Sequence, residues 1–399
     1  MMQVPLNAST FGDEEVQAAV EVLRFGRLTM GPRCHEFEER FAAAVGARHA
    51  VFANSGSSAN LLAMFAIANP QVPLSGGKRK LEPGDEVIVP AIAWSTTVWP
   101  IVQAGGIPVL VDCDAETLQL RTDQLEAAIG PRTVGLCPVH VLGNAVPMEP
   151  VLAAAQKHGL WIIEDTCEAL GTRQRGRAMG TFGDIGTYSF FFSHHITTIE
   201  GGMVVTSDDA VADLLRCLRA HGWTRDLHDR KTVEAKHPQI DPRFLFVNTG
   251  FNVRPTEINA AFGLRQLDKL DRFNRRRVEI AARWIRELSP LAEDGRLVPM
   301  RTTPGTDSTW FGFPVLCRDA ELRVELQRHL ESRGVETRPI IAGNLARQPA
   351  FQHIRHRIHG ELSGADTIMD RGLYWGSHPI MTEEQVDYVV RCVKEFFQR

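Results

Sequence analysis

Four stretches of the chain hold residue types that could act on a phosphorylated, aromatic cofactor. Residues 54–62 read NSGSSANLL, a strand ending near Gly56 and a helix opening at Ser57 and Ser58. The free N–H groups and positive dipole end of such a helix start make an anion site, and serine hydroxyls add donors; plain helix capping is the other reading. Asp165 closes the apolar run LWIIEDTC. A carboxylate at the C-terminal end of a parallel strand lies in the crevice where α/β ligands sit, and could pair with a protonated ring nitrogen or cap a helix. In GTYSFFFSHHITTIEGGMVV, Ser189 could hold a phosphate, and His194 or His195 could face the cofactor. Extended geometry would send the two imidazoles to opposite sides, leaving only one of them for the ring. Trp94, in VPAIAWSTTVWP on a loop after a strand, could stack on the cofactor or pack in the core.

Positioning these residues falls to an alternation of short apolar runs and helical patterns. The runs at 49–55, 86–91, 107–114, 133–143, 160–167, 186–193 and 202–208 are strand candidates, several of them apolar on successive residues, as strands covered on both faces require. Helical patterns lie at 57–68, 122–130, 148–159 and 208–222. This order predicts an α/β architecture with a largely parallel sheet. A charge-rich helical stretch runs from Pro255 to Leu288, opening with proline at a first helical position and closing before Pro290. Beyond it, WFGFPVLCR, a helix at 319–333, VETRPII and an amphipathic helix at 383–398 read as a smaller α+β domain. The expected division is a large domain over 1–280 and a small C-terminal domain over 281–399. The polar segment 223–249 lacks a period and reads as a functional loop.

Composition narrows the partners. With 399 residues, 44% hydrophobic and 23% charged, disorder, collagen and a coiled-coil rod are excluded. A net charge of −4 argues against a partner held by the phosphates of long nucleic acid and favours a small molecule. Seven dispersed cysteines with no CxxC read as reduced thiols, not a disulfide framework or a metal site. MMQVPLNASTFGDEEVQ lacks the features of a secretory signal, and no apolar stretch approaches a membrane span, so a soluble, cytoplasmic protein is expected.

SGSSANLL, EDTCEALG, GDIGTYSFFFSHHITTIEGGMV, RAHGWTR and GFNVRPTEINAAFGLRQL, in this order and spacing, resemble the nucleotide-sugar aminotransferase family of fold-type I pyridoxal-phosphate (PLP) proteins. The resemblance covers nearly the whole chain. It implies an aspartate-aminotransferase-like fold, with Gly56, Ser57 and Ser189 at phosphate-binding positions and Asp165 as partner of the pyridine nitrogen. Trp94 would stack on the ring, and Glu168 stands near the ring hydroxyl, where the aminotransferases usually have Gln. Asn252 matches an asparagine that reaches the phosphate bound by the neighbouring subunit, which implies a homodimer with shared sites. His221, Arg219, Arg225, Arg254 and Arg338 are expected around the sugar, its pyrophosphate or an amino-acid carboxylate, plain salt bridges being the alternative for each arginine.

One departure decides the expected function. Family aminotransferases carry lysine five residues after the Ser189 position and eight before the Gly202 position; here that residue is His194. An imidazole has no primary amine and cannot tether PLP covalently. The substitution, with SHHITTIEGGM, STWFGFP and RPIIAGN, resembles a subgroup of 3-dehydratases that deoxygenate nucleotide-linked 4-keto-6-deoxyhexoses. There PLP alternates with its amine form, pyridoxamine phosphate (PMP), and a neutral imidazole of ordinary pKa near about 6.5 is suited to take a proton and return it to the departing C3 oxygen. One branch of the subgroup draws its two electrons through an iron–sulfur cluster bound by four cysteines, three of them in the loop after the region matching RAHGW. No cysteine lies between Cys217 and Cys317, so the glutamate-using branch is expected, without a cluster. That branch takes a GDP-linked 4-keto-6-deoxymannose and L-glutamate to a 4-keto-3,6-dideoxy sugar, ammonia and 2-oxoglutarate, as in colitose-type dideoxysugar biosynthesis for lipopolysaccharide O-antigen. The alternatives are a sugar aminotransferase that tolerates His194, a reductase-coupled dehydrase acting on CDP-4-keto-6-deoxyglucose, and a non-catalytic PLP-binding regulator.

Overall fold

Both faces of the expected strands are apolar because helices cover both. In the computed structural model, which describes residues 2–398, seven such strands form one sheet: β1 (His49–Ala53), β2 (Glu86–Pro90), β3 (Ile107–Val111), β4 (Thr133–Leu136), β5 (Trp161–Asp165), β6 (Ile185–Ser189) and β7 (Gly202–Thr206). Their order is β1-β7-β6-β5-β4-β2-β3, with the two-residue strand Arg357–Ile358 added beyond β3. All pairings are parallel except those of β7, which runs antiparallel to β1 and β6. The C-terminal ends of β1, β5 and β6 therefore share one edge of the sheet, where α/β proteins bind their ligands.

Four helices come early in the chain: α1 (Asp13–Phe25), α2 (Pro32–Val45), and α3 (Gly56–Ile67) and α4 (Ser95–Gln103), which open just beyond the ends of β1 and β2. α1 and α2 pack on the later helix Glu257–Leu267. Of the four, only α3 stands out in the sequence pattern.

Three expectations are corrected. The run 133–143 is a strand only to Leu136; Pro138 interrupts the run, and Val141–Gly143 is a short 3-10 turn. The stretch 255–288 is two helices, Glu257–Leu267, capped by the Thr256 hydroxyl, and Leu270–Glu293, with Pro255 outside the first. Pro290 lies inside the second. Its ring removes the N–H owed to the Arg286 carbonyl, and the Ser289 hydroxyl donates to that oxygen instead at 2.9 Å. The segment 223–249 contains a short helix, Arg230–Ala235, and a 3-10 turn, Pro242–Phe244.

The smaller sheet expected towards the C-terminus is present and wholly antiparallel, in the order Leu297–Pro299, Gly312–Cys317, Gly372–Gly376, Thr337–Arg338. Residue 280 falls within the helix Leu270–Glu293, so the chain passes between the two sheets along a helix and not through a linker. One apolar cluster joins them, running from Val51 and Val89 to Trp284, Phe313 and Trp375. Among the described residues, no helix is long and apolar enough to cross a membrane.

Candidate active site

β1 ends at Ala53, and the chain turns through Ser55 into α3. Ser55 caps the helix by accepting the Ser58 N–H at 3.0 Å, while the first N–H groups of a helix have no acceptor within it. Register sets what these groups face. Ala53 pairs with Gly202, and Gly202 pairs with Ser189, so the helix start lies against the end of β6. A Cβ on Gly56 would stand 2.5 Å from the Ser189 Cβ, and one on Gly202 would stand 2.3 Å from the Ser55 carbonyl oxygen. Glycine alone allows this closure. Ser57 sits exposed on the rim, and the nearly buried Ser189 hydroxyl accepts only a long bond, 3.4 Å, from the Phe191 N–H. Helix N–H groups and two hydroxyls in one concave turn make a phosphate cup.

Asp165, the last residue of β5, is held by three neighbours. Its Oδ2 accepts from Asn60 Nδ2 at 2.9 Å and Thr97 Oγ1 at 2.7 Å, and its Oδ1 accepts from the Cys167 N–H at 3.1 Å. Asn60 is itself fixed by the Thr187 hydroxyl, 2.6 Å from its Oδ1. Thus α3, α4 and β6 each help to orient one carboxylate. Asn60 and Thr97 are missed by the sequence reading; they stand there as ordinary polar residues near the starts of two largely apolar helices. Trp94 stands at the N-terminus of α4 and is 59% exposed, free to cover a ring held by Asp165.

Beyond Ser189 the chain does not stay extended. Residues 192–195 form a turn, which corrects the expectation that the two imidazoles part: both approach Phe311, with ring centroids 5.0 Å away for His194 and 6.0 Å for His195. His195 is fully buried, its Nε2 3.0 Å from Thr309 Oγ1. Burial pushes the His194 imidazole down to about 4; the Cys167 main chain and the Asp165 carboxylate oppose this, and Arg277 adds to it. His194 is therefore neutral at ordinary pH. Glu168 behaves in the opposite way. Its Oε2 accepts the Leu142 N–H at 2.8 Å, yet burial, helped by Asp165, pushes the carboxyl up to about 7. Near neutrality it can hold or release a proton beside the site.

The residues expected around the substrate separate into two groups. Arg219 is corrected: it is fully buried, with Nη1 2.5 Å from Glu38 Oε1 and 2.8 Å from the Phe52 carbonyl oxygen, so it ties α2 to β1 and cannot reach a ligand. The others stay accessible. His221 is half-buried at φ 63°. Arg225 lies exposed with its guanidinium 3.9 Å from the Trp223 ring centre. Asn252 is exposed and accepts from Arg254 Nε at 2.9 Å. Exposed Arg338 donates to the Thr337 carbonyl oxygen at 2.7 Å, and its charge acts on Tyr374, which also feels Glu168.

A cup for phosphate, an oriented buried carboxylate for a ring nitrogen, an indole for the ring face and an imidazole beside them fit pyridoxal phosphate; the cradle at Gly56, which any Cβ would fill, is the sharpest sign. Fold and site together define a protein of the PLP-dependent aminotransferase fold. More narrowly, the chain belongs to the DegT/DnrJ/EryC1/StrS aminotransferase family, whose profile matches residues 9–394. It is 36% identical to a GDP-4-keto-6-deoxy-D-mannose 3-dehydratase of Yersinia pseudotuberculosis, over 99% of each chain. It is 38% identical to a dTDP-4-dehydro-2,6-dideoxy-D-glucose 3-dehydratase of Saccharopolyspora spinosa, over 96% of this chain and 83% of that one. Among solved structures it resembles a GDP-4-keto-6-deoxymannose-3-dehydratase with a trapped PLP-glutamate geminal diamine, with a TM-score of 0.89 and 34% identity over 98% of this chain and 100% of that one.

Proposed function

We propose that this protein is a PLP- and glutamate-dependent 3-dehydratase that removes the C3 hydroxyl of a nucleotide-linked 4-keto-6-deoxyhexose, GDP-4-keto-6-deoxy-D-mannose being the preferred substrate. The observation that carries the reading is a neutral imidazole, His194, in the position of the tethering lysine, within a site otherwise shaped for the cofactor. When bound, PLP supplies an electron sink and, as PMP, a carrier for the amino group and two electrons taken from glutamate. The protein does the rest. The α3 start with Gly56, Ser57 and Ser189 anchors the phosphate, Asp165 holds the ring nitrogen protonated, Trp94 covers the ring, and Glu168 shares a proton with the ring hydroxyl. His194 accepts a proton at the cofactor's reacting carbon and returns one to the departing C3 oxygen.

The balance closes. Replacing C–OH by C–H takes two electrons and two protons and releases water; glutamate supplies both electrons and consumes that water on becoming 2-oxoglutarate and ammonia. Glutamate as reductant is supported by the loop 223–249, which has no cysteine to ligate a cluster. His221, Arg225, Arg254 and Arg338 are proposed to bind the sugar nucleotide and the glutamate carboxylates. Residues 281–399 contribute Thr309, Phe311 and Arg338 to a site built mostly by residues 1–280. Asn252, facing outward, is proposed to reach the phosphate of a second subunit, making the active form a homodimer, and the protein is proposed to be cytoplasmic.

Incubation with PLP, glutamate and GDP-4-keto-6-deoxymannose tests the reading: a sugar nucleotide lighter by one oxygen, with 2-oxoglutarate and ammonia in equal amount, supports it. A 4-amino sugar as the sole product overturns it. The 38% identity to the dTDP-sugar enzyme favours a second reading in which the base is thymine and C2 is already deoxygenated. Competition of the two nucleotides in one assay, read as the ratio of kcat/KM, decides between them.

A further inference from the structure

Arg277 stands on the inner side of the helix Leu270–Glu293, 2% exposed, and among the described residues no carboxylate pairs with it. Its Nη1 donates to three main-chain oxygens, those of Trp310 at 3.3 Å, Phe311 at 3.0 Å and Ser377 at 2.6 Å, while its Nε is buried without a partner. Burial pushes the guanidinium down to about 9, so it stays charged at neutral pH. A buried cation with no counter-ion is expensive, and apolar residues commonly serve packing better. Packing alone does not account for it.

The charge fastens a strained turn. Trp310 sits at φ 52°, in the left-handed region, which a bulky residue adopts only when its surroundings force it. Ser308 Oγ donates to the Gly143 carbonyl oxygen at 2.7 Å, and the Phe311 N–H donates to that of Leu142 at 3.1 Å. The Thr309 N–H donates to Thr172 Oγ1 at 3.2 Å, and the bonds from Arg277 close the far side. What the turn presents is the Phe311 ring, against His194, and the Thr309 hydroxyl, on His195.

We propose that Arg277 is a positioning residue for the reaction: it fastens the turn 308–311 over the His194 imidazole and, as an unneutralised buried cation, adds to the burial that disfavours the imidazolium. The inference rests on the reading of His194 as the base. The groups facing His194 can be named element by element. Asp165 and the Cys167 main chain, at the end of β5, favour the imidazolium; Arg277, from the long helix, disfavours it; His195 is its neighbour in the turn, and the Phe311 ring is uncharged.

The test uses full-length protein, with the His194 imidazole followed by nitrogen-15 NMR in the cofactor-free state and turnover measured in the holoenzyme. His194→Asn identifies the resonance. In Arg277→Met the His194 midpoint rises, though it stays below that of a free imidazole because burial remains, and the acid limb of kcat moves to higher pH with it. In the same variant, kcat at neutral pH falls about tenfold or more while KM for glutamate and for the sugar nucleotide moves by less than about threefold. Arg277→Lys keeps the charge, leaves the midpoint low and recovers part of kcat. Phe311→Leu lowers kcat with little change in the midpoint. A midpoint in a folded Arg277→Met protein equal to that of the wild type overturns the proposal. If Arg277→Met does not fold, wild-type turnover in both Arg277→Lys and Phe311→Leu overturns it instead. A wild-type protein with no dehydratase turnover would remove the functional reading, while the NMR titration would still decide whether Arg277 sets the state of His194.

Discussion

His194 and Glu168 both feel the Asp165 carboxylate and respond to burial in opposite directions, because burial disfavours whichever form is charged. His194 is left a neutral base across the range in which a free imidazole titrates, and Glu168 becomes a carboxyl poised near neutrality. Replacing His194 by Asn is expected to lower kcat by about 10²- to 10⁴-fold with the cofactor absorbance retained, checked by single-turnover absorbance and product mass. Borohydride reduction of the wild-type holoprotein is expected to leave its intact mass unchanged, and a phosphopyridoxyl adduct on a lysine would sink the argument. Glu168 also links to stability in the cofactor-free protein. Its folded pKa, about 7, lies above the ordinary 4.5, so the stability it contributes is present below about 4.5 and lost as pH rises through about 7. Glu168→Gln should therefore raise the melting temperature at pH 8 and do so much less at pH 5, measured by calorimetry. The positions of Asp165 and Ser189 at strand ends, and the proposed role of His194 in place of a family lysine, are readable from the sequence. Asn60 and Thr97 are not, since the carboxylate they orient lies 105 and 68 residues away in the chain.

At the scale of elements, the cup is the junction of one helix start with two strand ends, and glycine fixes how closely they meet. Gly56→Ala should raise the PLP dissociation constant by about tenfold or more, because the new Cβ must displace the Ser189 side chain that is proposed to hold the phosphate. Fluorescence titration of the cofactor-free protein checks this, and unchanged affinity would mean that the cup lies elsewhere. Helix and strand existence is largely legible where apolar residues run together, as in β1 to β7 and α3, or recur at the helical period, as in the last helix. It fails where capping chemistry decides. The long stretch after Pro255 breaks at Asp268 and Lys269 with no glycine or proline to mark it, while Pro290 is tolerated because Ser289 satisfies the carbonyl its ring leaves bare. α1, which buries only Glu15, Ala18 and Val22, and α2 both pack on the helix Glu257–Leu267, more than 200 residues later.

For the whole molecule, the expected homodimer has a direct test. If Asn252 completes the partner's site, a one-to-one mixture of His194→Asn and Asn252→Ala subunits, exchanged under mild denaturant, forms heterodimers with one intact site. Their activity should recover to about a quarter of the wild-type value from two inactive parents. No recovery would place Asn252 in its own subunit's site or outside either. Sedimentation of the holoprotein as a dimer is the companion result.

The sequence by itself determined the chemistry on offer: a phosphate cup, a carboxylate at a strand end, an imidazole where a tether would stand, and a cysteine-free loop. These are local facts of residue type and spacing, and a short segment carries each whole. Tertiary structure alone decided what those groups are. It turned Arg219 from a ligand-facing cation into a buried strut, brought both histidines onto Phe311, and made His194 and Glu168 respond oppositely to one interior. The reason is that desolvation and charge act through space, and the groups that set them here, Arg277, Leu142 and Phe311, reach the site from distant parts of the chain.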